Sequence, residues 1–275
     1  MSEIRSEDVT YFTHPSGALL ARLYRPKTSM PSAALVSLHG GRWIQETRLT
    51  NAPIDQALAE DGALVMAIDI RTPPVARYPD CLADVNVAIR WLKAHATELQ
   101  IDPRRVGGIG TSSGGHQMML SALRPHDRRY AALALDGGQD ASLAYVVLGW
   151  PVIDPLARYR YAEAGNKTPY LEAHHAYWPS VADMADGNPQ LILERGESAP
   201  SLPPVLLLQG TADEALPEGM ADRFAAAYAK AGGAIELVKF AGEGHTFITK
   251  QSGSQASRDA ISRIKSFVRD RSRSQ

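Results

Sequence analysis

Cysteine is almost absent from this chain, since Cys81 is the only one among 275 residues. A lone cysteine excludes an intrachain disulfide and a cluster of cysteine ligands around a metal. An excess of charge of one sign is also missing, because 29 Lys and Arg residues face 30 Asp and Glu residues. This balance argues against partners that are held by a field of one sign, so we expect no nucleic-acid partner.

Long hydrophobic runs are missing too. The longest, such as residues 144–152, fall far short of the roughly 20 residues that a membrane-spanning helix needs. Residues 1–8 are polar and acidic, unlike the basic start and apolar middle of a signal peptide. We therefore expect no membrane span and a cytoplasmic location, and we leave self-association into a homo-oligomer open.

Apolar runs that are typical of strands alternate with segments of helical periodicity along most of the chain. Uninterrupted apolar strands in such an alternation predict an α/β fold, with a mostly parallel sheet between two layers of helices. Two runs, 130–135 and 145–148, are equal candidates for one of the strands. We predict a single domain over 1–275, in which about 151–204 forms a cap-like insertion over the strand ends. That segment breaks the alternation and is rich in Pro, Tyr, His and Trp.

Ser112 lies in the sequence Gly-Thr-Ser-Ser-Gly at 110–114, between a predicted strand and a predicted helix. A sharp turn there would strain the serine backbone and expose its hydroxyl. The amide of Ser113 would then lie at a helix N-terminus, facing negative charge that develops on a substrate. The five-residue pattern alone also fits a plain Gly/Ser turn or a phosphate-binding loop.

Asp213 and His245 each follow a later predicted strand. A serine hydroxyl needs a base within hydrogen-bond reach, and histidine suits that role near neutral pH. A carboxylate is then needed to orient the imidazole and to stabilise its charged form. The chain order Ser, Asp, His, with each residue at a strand end, predicts a catalytic triad of Ser112, Asp213 and His245.

Gly40 and Gly41 follow an earlier strand, within the sequence His-Gly-Gly-Arg-Trp at 39–43. Two glycines leave backbone amides open to a ligand. We predict that the amides of Gly40, Gly41 and Ser113 form an oxyanion hole. His39 is interpreted as a brace for this loop.

These motifs together resemble the α/β-hydrolase fold esterases, a broad group that includes hormone-sensitive-lipase-like esterases, feruloyl and acetyl-xylan esterases, and kynurenine formamidase. The resemblance extends from about residue 33 to residue 247. It is carried by residues 39–43, 69–71, 78–79, 84, 101–105, 110–116, 210–213 and 244–247. It implies a central parallel sheet, the same triad and the same oxyanion hole, and no cofactor.

Two positions depart from the pattern of the group. Arg42 stands where the lipase-like branch usually has a third glycine, and Ser113 stands where alanine is common. Arg42 is either a solvated loop charge or a contact to a carboxylate of the substrate. Four residues are predicted to bind substrate: Arg42, Trp43, Trp150 and Trp178.

The aromatic side chains of the insertion have two interpretations, which are a lining for the substrate pocket or packing of the cap onto the sheet. His174 and His175 lack further ligands at helical spacing, so we expect no metal. The predicted function is hydrolysis of a small or medium carboxylic ester through an acyl-enzyme. The alternatives are an amide hydrolase of formamidase type, a peptidase of prolyl-oligopeptidase type and a non-catalytic binding protein.

Overall fold

The apolar runs form one eight-stranded sheet in the computed structural model, which describes residues 4–28 and 30–272. The strands are β1 (Arg5–His14), β2 (Gly17–Arg25), β3 (Ala33–Leu38), β4 (Ala63–Ile68), β5 (Val106–Thr111), β6 (Val146–Gly149), β7 (Val205–Gly210) and β8 (Ile235–Phe240). Their order in the sheet is β1-β2-β4-β3-β5-β6-β7-β8. Only the pairs β1–β2 and β2–β4 of this sheet are antiparallel. The predicted α/β fold with a mostly parallel sheet is confirmed.

Both faces of the central strands are covered. Leu35 and Val36 are neighbours in β3, and successive side chains of a strand point to opposite faces. Both side chains have no exposed surface. Leu35 packs in a cluster with Leu58, whereas Val36 packs in the cluster that contains Leu120. β3 is therefore apolar at every position except Ser37, which is why its sequence does not alternate between apolar and polar residues.

Helices fill the layers on either side of the sheet. Among the described residues they are α1 (Ala52–Glu60), α2 (Asp80–Ala94), α3 (Ala96–Leu99), α4 (Ser113–Leu123), α5 (Pro155–Ala164), α6 (Thr168–Tyr177), α7 (Val181–Asp186), α8 (Pro189–Glu194), α9 (Met220–Lys230), α10 (Phe247–Lys250) and α11 (Gln255–Ser272). No helix in the described ranges has the length and apolar character needed to cross a membrane.

Of the two candidate strands after α4, the second is the strand. Residues 146–149 form β6 and are all buried, whereas 131–135 form no strand and are largely exposed. Both runs are apolar, so composition did not separate them. The position of β6 between β5 and β7 provides hydrogen-bond partners on both sides, which the other run lacks.

The segment 151–204 carries α5 to α8 between β6 and β7. The side chain of Asp154 caps α5 by accepting a hydrogen bond from the amide of Ala157 at 2.9 Å, and Asn188 caps α8 in the same way. Both caps are followed by proline at the first helical position, where its missing N–H costs nothing. The guanidinium of Arg77 donates to three carbonyl oxygens at the end of α6, which ties the segment to the loop before α2.

Candidate active site

Ser112 occupies the sharp turn between β5 and α4, with φ 51° and ψ −119°. A positive φ is strained for any residue other than glycine. The turn is also crowded, because a Cβ on Gly110 would lie 2.5 Å from the carbonyl oxygen of Gly114. A Cβ on Gly114 would lie 2.1 Å from the carbonyl oxygen of His39. The two glycines flanking Ser112 are therefore required by the close passage of strand, helix and loop.

The Ser112 hydroxyl begins a chain of hydrogen bonds. Its Oγ lies 2.9 Å from Nε2 of His245, and the Nδ1 of that ring lies 2.8 Å from Oδ2 of Asp213. An ionised carboxylate can only accept, so Nδ1 carries the proton and Nε2 is left to accept from the serine hydroxyl. The Asp213 oxygens also accept from the Gln209 side chain and from the Ala215 amide, both at 2.9 Å. The carboxylate is thus held in one orientation.

The electrostatics of Asp213 favour its ionised form. Burial of its side chain, which is 2% exposed, works against the charge. The hydrogen bonds from His245, Gln209 and the Ala215 amide outweigh that effect and lower the pKa of Asp213 below its usual range. The negative charge of Asp213 beside Nδ1 stabilises the positive charge that the His245 ring acquires when it takes up a proton.

The order of the strands explains how residues so distant in sequence meet. β5, β6, β7 and β8 are parallel neighbours, so the loops after them open at the same edge of the sheet. Ser112 follows β5, Asp213 follows β7 and His245 follows β8. The structure therefore brings together the three residues predicted as the triad.

The glycine loop after β3 lies against the same turn. A Cβ on Gly40 would lie 3.1 Å from the Cβ of Ser112. Gly41 has φ 98°, and a Cβ there would lie 2.1 Å from the carbonyl oxygen of Gln45. His39 is buried, and its Nδ1 donates to the Gly40 carbonyl at 2.8 Å, so it braces the loop as predicted.

Two further contacts fix the loop to the rest of the site. The Trp43 amide donates to Oγ of Ser113 at 3.0 Å. Asn51 joins β3 to β5, because its side chain donates to the Leu38 carbonyl at 3.2 Å and accepts from the Thr111 hydroxyl at 2.9 Å. Sequence reasoning missed Asn51 and Thr111, since nothing in their local sequence indicates that they meet.

A cavity of about 510 Å³ opens above Ser112 and His245. Its other lining residues are Gly40, Gly41, Arg42, Gln45, Glu46, Thr50, Asn51, Thr111, Trp150, Arg158, Tyr170, Ala215, Thr246, Thr249 and Lys250. Arg42 and Trp150, two of the four residues predicted to bind substrate, are among the residues that line it. Sequence reasoning missed Arg158 and Tyr170, which lie in the insertion and belong to no recognisable motif.

Trp43 and Trp178, also predicted to bind substrate, are placed elsewhere. Both are buried and neither lines the cavity. The Trp43 ring stacks on Tyr177 with centroids 5.1 Å apart, and its Nε1 donates to Nδ1 of His116 at 3.1 Å. The Trp178 ring packs edge-on against the Trp43 ring. These two indoles join α4 to the insertion. Burying their large apolar rings there is more favourable than leaving them exposed in the cavity.

The two adjacent histidines of the insertion have different surroundings. No group of three or more His, Cys, Asp or Glu side chains within 4–28 and 30–272 is arranged to hold an ion. His174 is buried beside the Arg158 guanidinium, and burial together with that charge lowers its pKa to about 2. His175 is exposed and contacts the Tyr159 hydroxyl.

Comparisons with known proteins agree with this geometry. The chain is 29% identical to an ethyl acetate hydrolase of Pseudomonas putida over 252 residues, which cover 88% of this chain and 75% of the relative. It is 29% identical to a Mycobacterium tuberculosis protein named "Probable carboxylic ester hydrolase LipM" over 223 residues, or 79% of this chain. The chain spans half the length of that second relative.

A solved structure and a family model give the same result. A thermophilic esterase of Thermogutta terrifontis with butyrate bound superposes with a TM-score of 0.77 at 25% identity, covering 97% of this chain and 92% of that one. Residues 35–249 match a family model described as alpha/beta hydrolase fold. The chain therefore belongs to the alpha/beta hydrolase fold family.

Proposed function

We propose that the protein is a serine hydrolase of carboxylic esters, with Ser112 as nucleophile, His245 as base and Asp213 as the residue that orients the base. The observation that carries the proposal is the unbroken hydrogen-bond chain from Ser112 Oγ through His245 to Asp213. Both relatives described above carry the name of an ester hydrolase, one of them as probable, which supports an ester as the bond that is cleaved.

The reaction follows from the positions of these atoms. His245 Nε2 takes the Ser112 proton while Oγ attacks the acyl carbonyl. The oxyanion that forms accepts hydrogen bonds from the amides of Gly40, Gly41 and Ser113, each worth about 3 kcal/mol in such sites. His245 then gives its proton to the leaving alcohol, and the acyl group stays on Ser112. Water activated by the same ring releases the acid, and the chemistry requires no cofactor.

The size of the cavity supports small or medium substrates. About 510 Å³ of space lies above Ser112, near the lower end of the range for small-molecule sites. The Thermogutta terrifontis structure holds butyrate, a short acyl group that a cavity of this size accommodates. We propose that Arg42 and Trp150, which line the cavity, contact the substrate.

The other interpretations have less support. The amide hydrolase is not favoured, because the relatives above are named as an ethyl acetate hydrolase and as a probable carboxylic ester hydrolase. A non-catalytic role would leave the serine–histidine hydrogen bond of 2.9 Å without a use. The single domain with a cap at about 151–204, the cytoplasmic location, self-association and the lack of a nucleic-acid partner stay predictions.

Hydrolysis of p-nitrophenyl acetate, butyrate and octanoate tests the proposal. We expect Ser112→Ala to lower kcat/KM by about 10³-fold or more. Ser121→Ala is the matched control, because this buried serine on α4 makes no side-chain hydrogen bond to the described residues. A Ser112→Ala variant as active as the wild type would disprove the assignment, and an inactive wild type would redirect the search to amides.

A further inference from the structure

Arg158 on α5 is a buried cation that forms no ion pair within the described residues. Its side chain is 1% exposed and its residue lines the cavity above Ser112. Within the described part of the chain it forms no ion pair with a carboxylate. A buried charge that lacks a counter-charge is costly. Such a group is therefore a strong indication of a ligand that supplies the missing charge.

The protein contacts of Arg158 leave part of its guanidinium open. Nε donates to the Ala215 carbonyl at 3.2 Å, and Nη1 lies 3.3 Å from Nε2 of His174. The group also lies 4.4 Å from the centre of the Tyr170 ring and 5.6 Å from that of Trp43. Nη2 makes no hydrogen bond to any residue within 4–28 or 30–272. These contacts fix the position of the Arg158 guanidinium without neutralising its charge.

The side chains that line the cavity carry more positive than negative charge. Arg42, Arg158 and Lys250 line it, and Glu46 is the one carboxylate among the lining residues. Glu46 accepts a hydrogen bond from the Thr50 hydroxyl and forms no ion pair with Arg158. Asp213 lies behind the cavity and is bound to His245.

Arg158 keeps its charge at neutral pH. Burial lowers its pKa to about 10, with Arg42 acting in the same direction and Tyr170 and Asp213 acting against it, and the guanidinium stays protonated. A guanidinium fork matches a carboxylate in shape and charge, and the pair is strongest where water is excluded.

We infer that the ester cleaved at this site carries a free carboxylate, which is bound by Arg158 with support from Arg42. The inference rests on the proposed esterase function, because it names the substrate class of that site. The substrate is then a monoester of a dicarboxylic acid or an ester of a hydroxy acid. Its carboxylate supplies the ion-pair partner that Arg158 lacks within residues 4–28 and 30–272.

Matched pairs of esters test this substrate class. Mono-p-nitrophenyl adipate is compared with p-nitrophenyl hexanoate for a carboxylate on the acyl side. For the alcohol side, 4-acetoxybenzoate is compared with 4-acetoxybenzamide. We expect the wild type to prefer the charged member of at least one pair by about tenfold or more in kcat/KM.

Variants assign that preference to the guanidinium. Arg158→Met should lower the ratio of charged to neutral kcat/KM by about tenfold. Arg160→Met is the matched control, because Arg160 lies on the same helix but is exposed, and it should leave the ratio unchanged. Should Arg158→Met not fold, Arg158→Lys keeps the charge but loses the fork and should still reduce the ratio.

Binding separates a failure of this inference from a failure of the esterase proposal. Calorimetry on Ser112→Ala should show adipate binding more tightly than its uncharged diamide, adipamide, and adding Arg158→Met should abolish the difference. A wild type that cleaves neutral esters but has no charge preference in either pair overturns the inference and leaves the esterase intact. If the wild type has no esterase activity but its Ser112→Ala variant binds adipate through Arg158, the esterase proposal fails and the carboxylate-binding role of Arg158 stands. Tighter binding of inorganic phosphate than of adipate would overturn the carboxylate assignment.

Discussion

Ser112 and His245 are 133 residues apart in the chain, yet the serine Oγ lies 2.9 Å from the imidazole Nε2. The contact exists because β5 and β8 end at the same edge of the sheet, with β6 and β7 between them. Asp213 completes the arrangement from the loop after β7. The hydrogen bond between Ser112 and His245 therefore depends on Asp213, which orients the imidazole.

Replacing Asp213 with asparagine should lower kcat for p-nitrophenyl butyrate by about 10³ to 10⁴-fold. The amide cannot hold the imidazole in the tautomer that leaves Nε2 free to accept the serine proton. Asp222→Asn serves as control, because Asp222 is paired with Lys239 at the surface, at 2.6 Å. A loss of less than tenfold in Asp213→Asn would contradict the role assigned to this carboxylate.

Gly114→Ala should destabilise the protein and abolish activity. The new Cβ would lie 2.1 Å from the His39 carbonyl oxygen, and this neighbour is backbone that cannot move aside without shifting the glycine loop. We expect a loss of about 1–3 kcal/mol in the free energy of unfolding, measured in urea. Gly253→Ala is the control, since no atom lies within 4 Å of a Cβ there. An equally stable and active Gly114→Ala would be inconsistent with the crowded turn.

His116 should make the protein less stable as the pH falls. Burial lowers the pKa of His116 to about 4, from an ordinary value of 6.5. Between these two values the unfolded chain binds a proton that the folded protein does not. The contribution of His116 to the free energy of unfolding is therefore complete above pH 6.5. It falls by up to about 1.4 kcal/mol per pH unit towards pH 4.

His116→Gln should remove this contribution and make the dependence between pH 4 and 6.5 less steep, while buried His174, whose pKa is lowered to about 2, keeps its own contribution. Glutamine can still accept from Trp43 Nε1 and donate to the Gly187 carbonyl, the two contacts that the imidazole makes. Urea unfolding at several pH values measures the slope. His126→Gln, at an exposed position, should leave the slope as it is, and an unchanged slope in His116→Gln would refute the prediction.

Cys81 should be inert in the folded protein. Its side chain is buried beside the Tyr177 hydroxyl, with Sγ and Oη 3.0 Å apart. Burial raises the pKa of the thiol to about 12, and the reactive form is the thiolate. Dithionitrobenzoate at pH 8 should therefore release about one equivalent of thiolate product only after denaturant is added. Rapid reaction of the native protein would show that α2 does not shield the thiol.

Much of the fold could be predicted from local sequence, because local sequence records burial. β3 and β7 are apolar except for Ser37 and Gln209, since both faces of these strands are covered. The pattern around Ser112 is equally local, because Gly110 and Gly114 leave no room for a side chain. Even so, 130–135 and 145–148 looked alike, as apolar content does not say which run finds a neighbouring strand.

The substrate side of the site depended on tertiary structure. A tryptophan in a motif does not reveal which way its ring points, so Trp43 was expected in the cavity and instead stacks on Tyr177. Arg158 belongs to no motif, and only the folded structure shows that it lines the cavity without forming an ion pair to a carboxylate of the described chain. The amino-acid sequence by itself determined the strands, the turn at Ser112 and the residues able to form a triad. Which of them meet, and which charge is left unpaired, was decided by packing between elements that are distant in the chain, since burial and charge pairing are properties of the assembled fold.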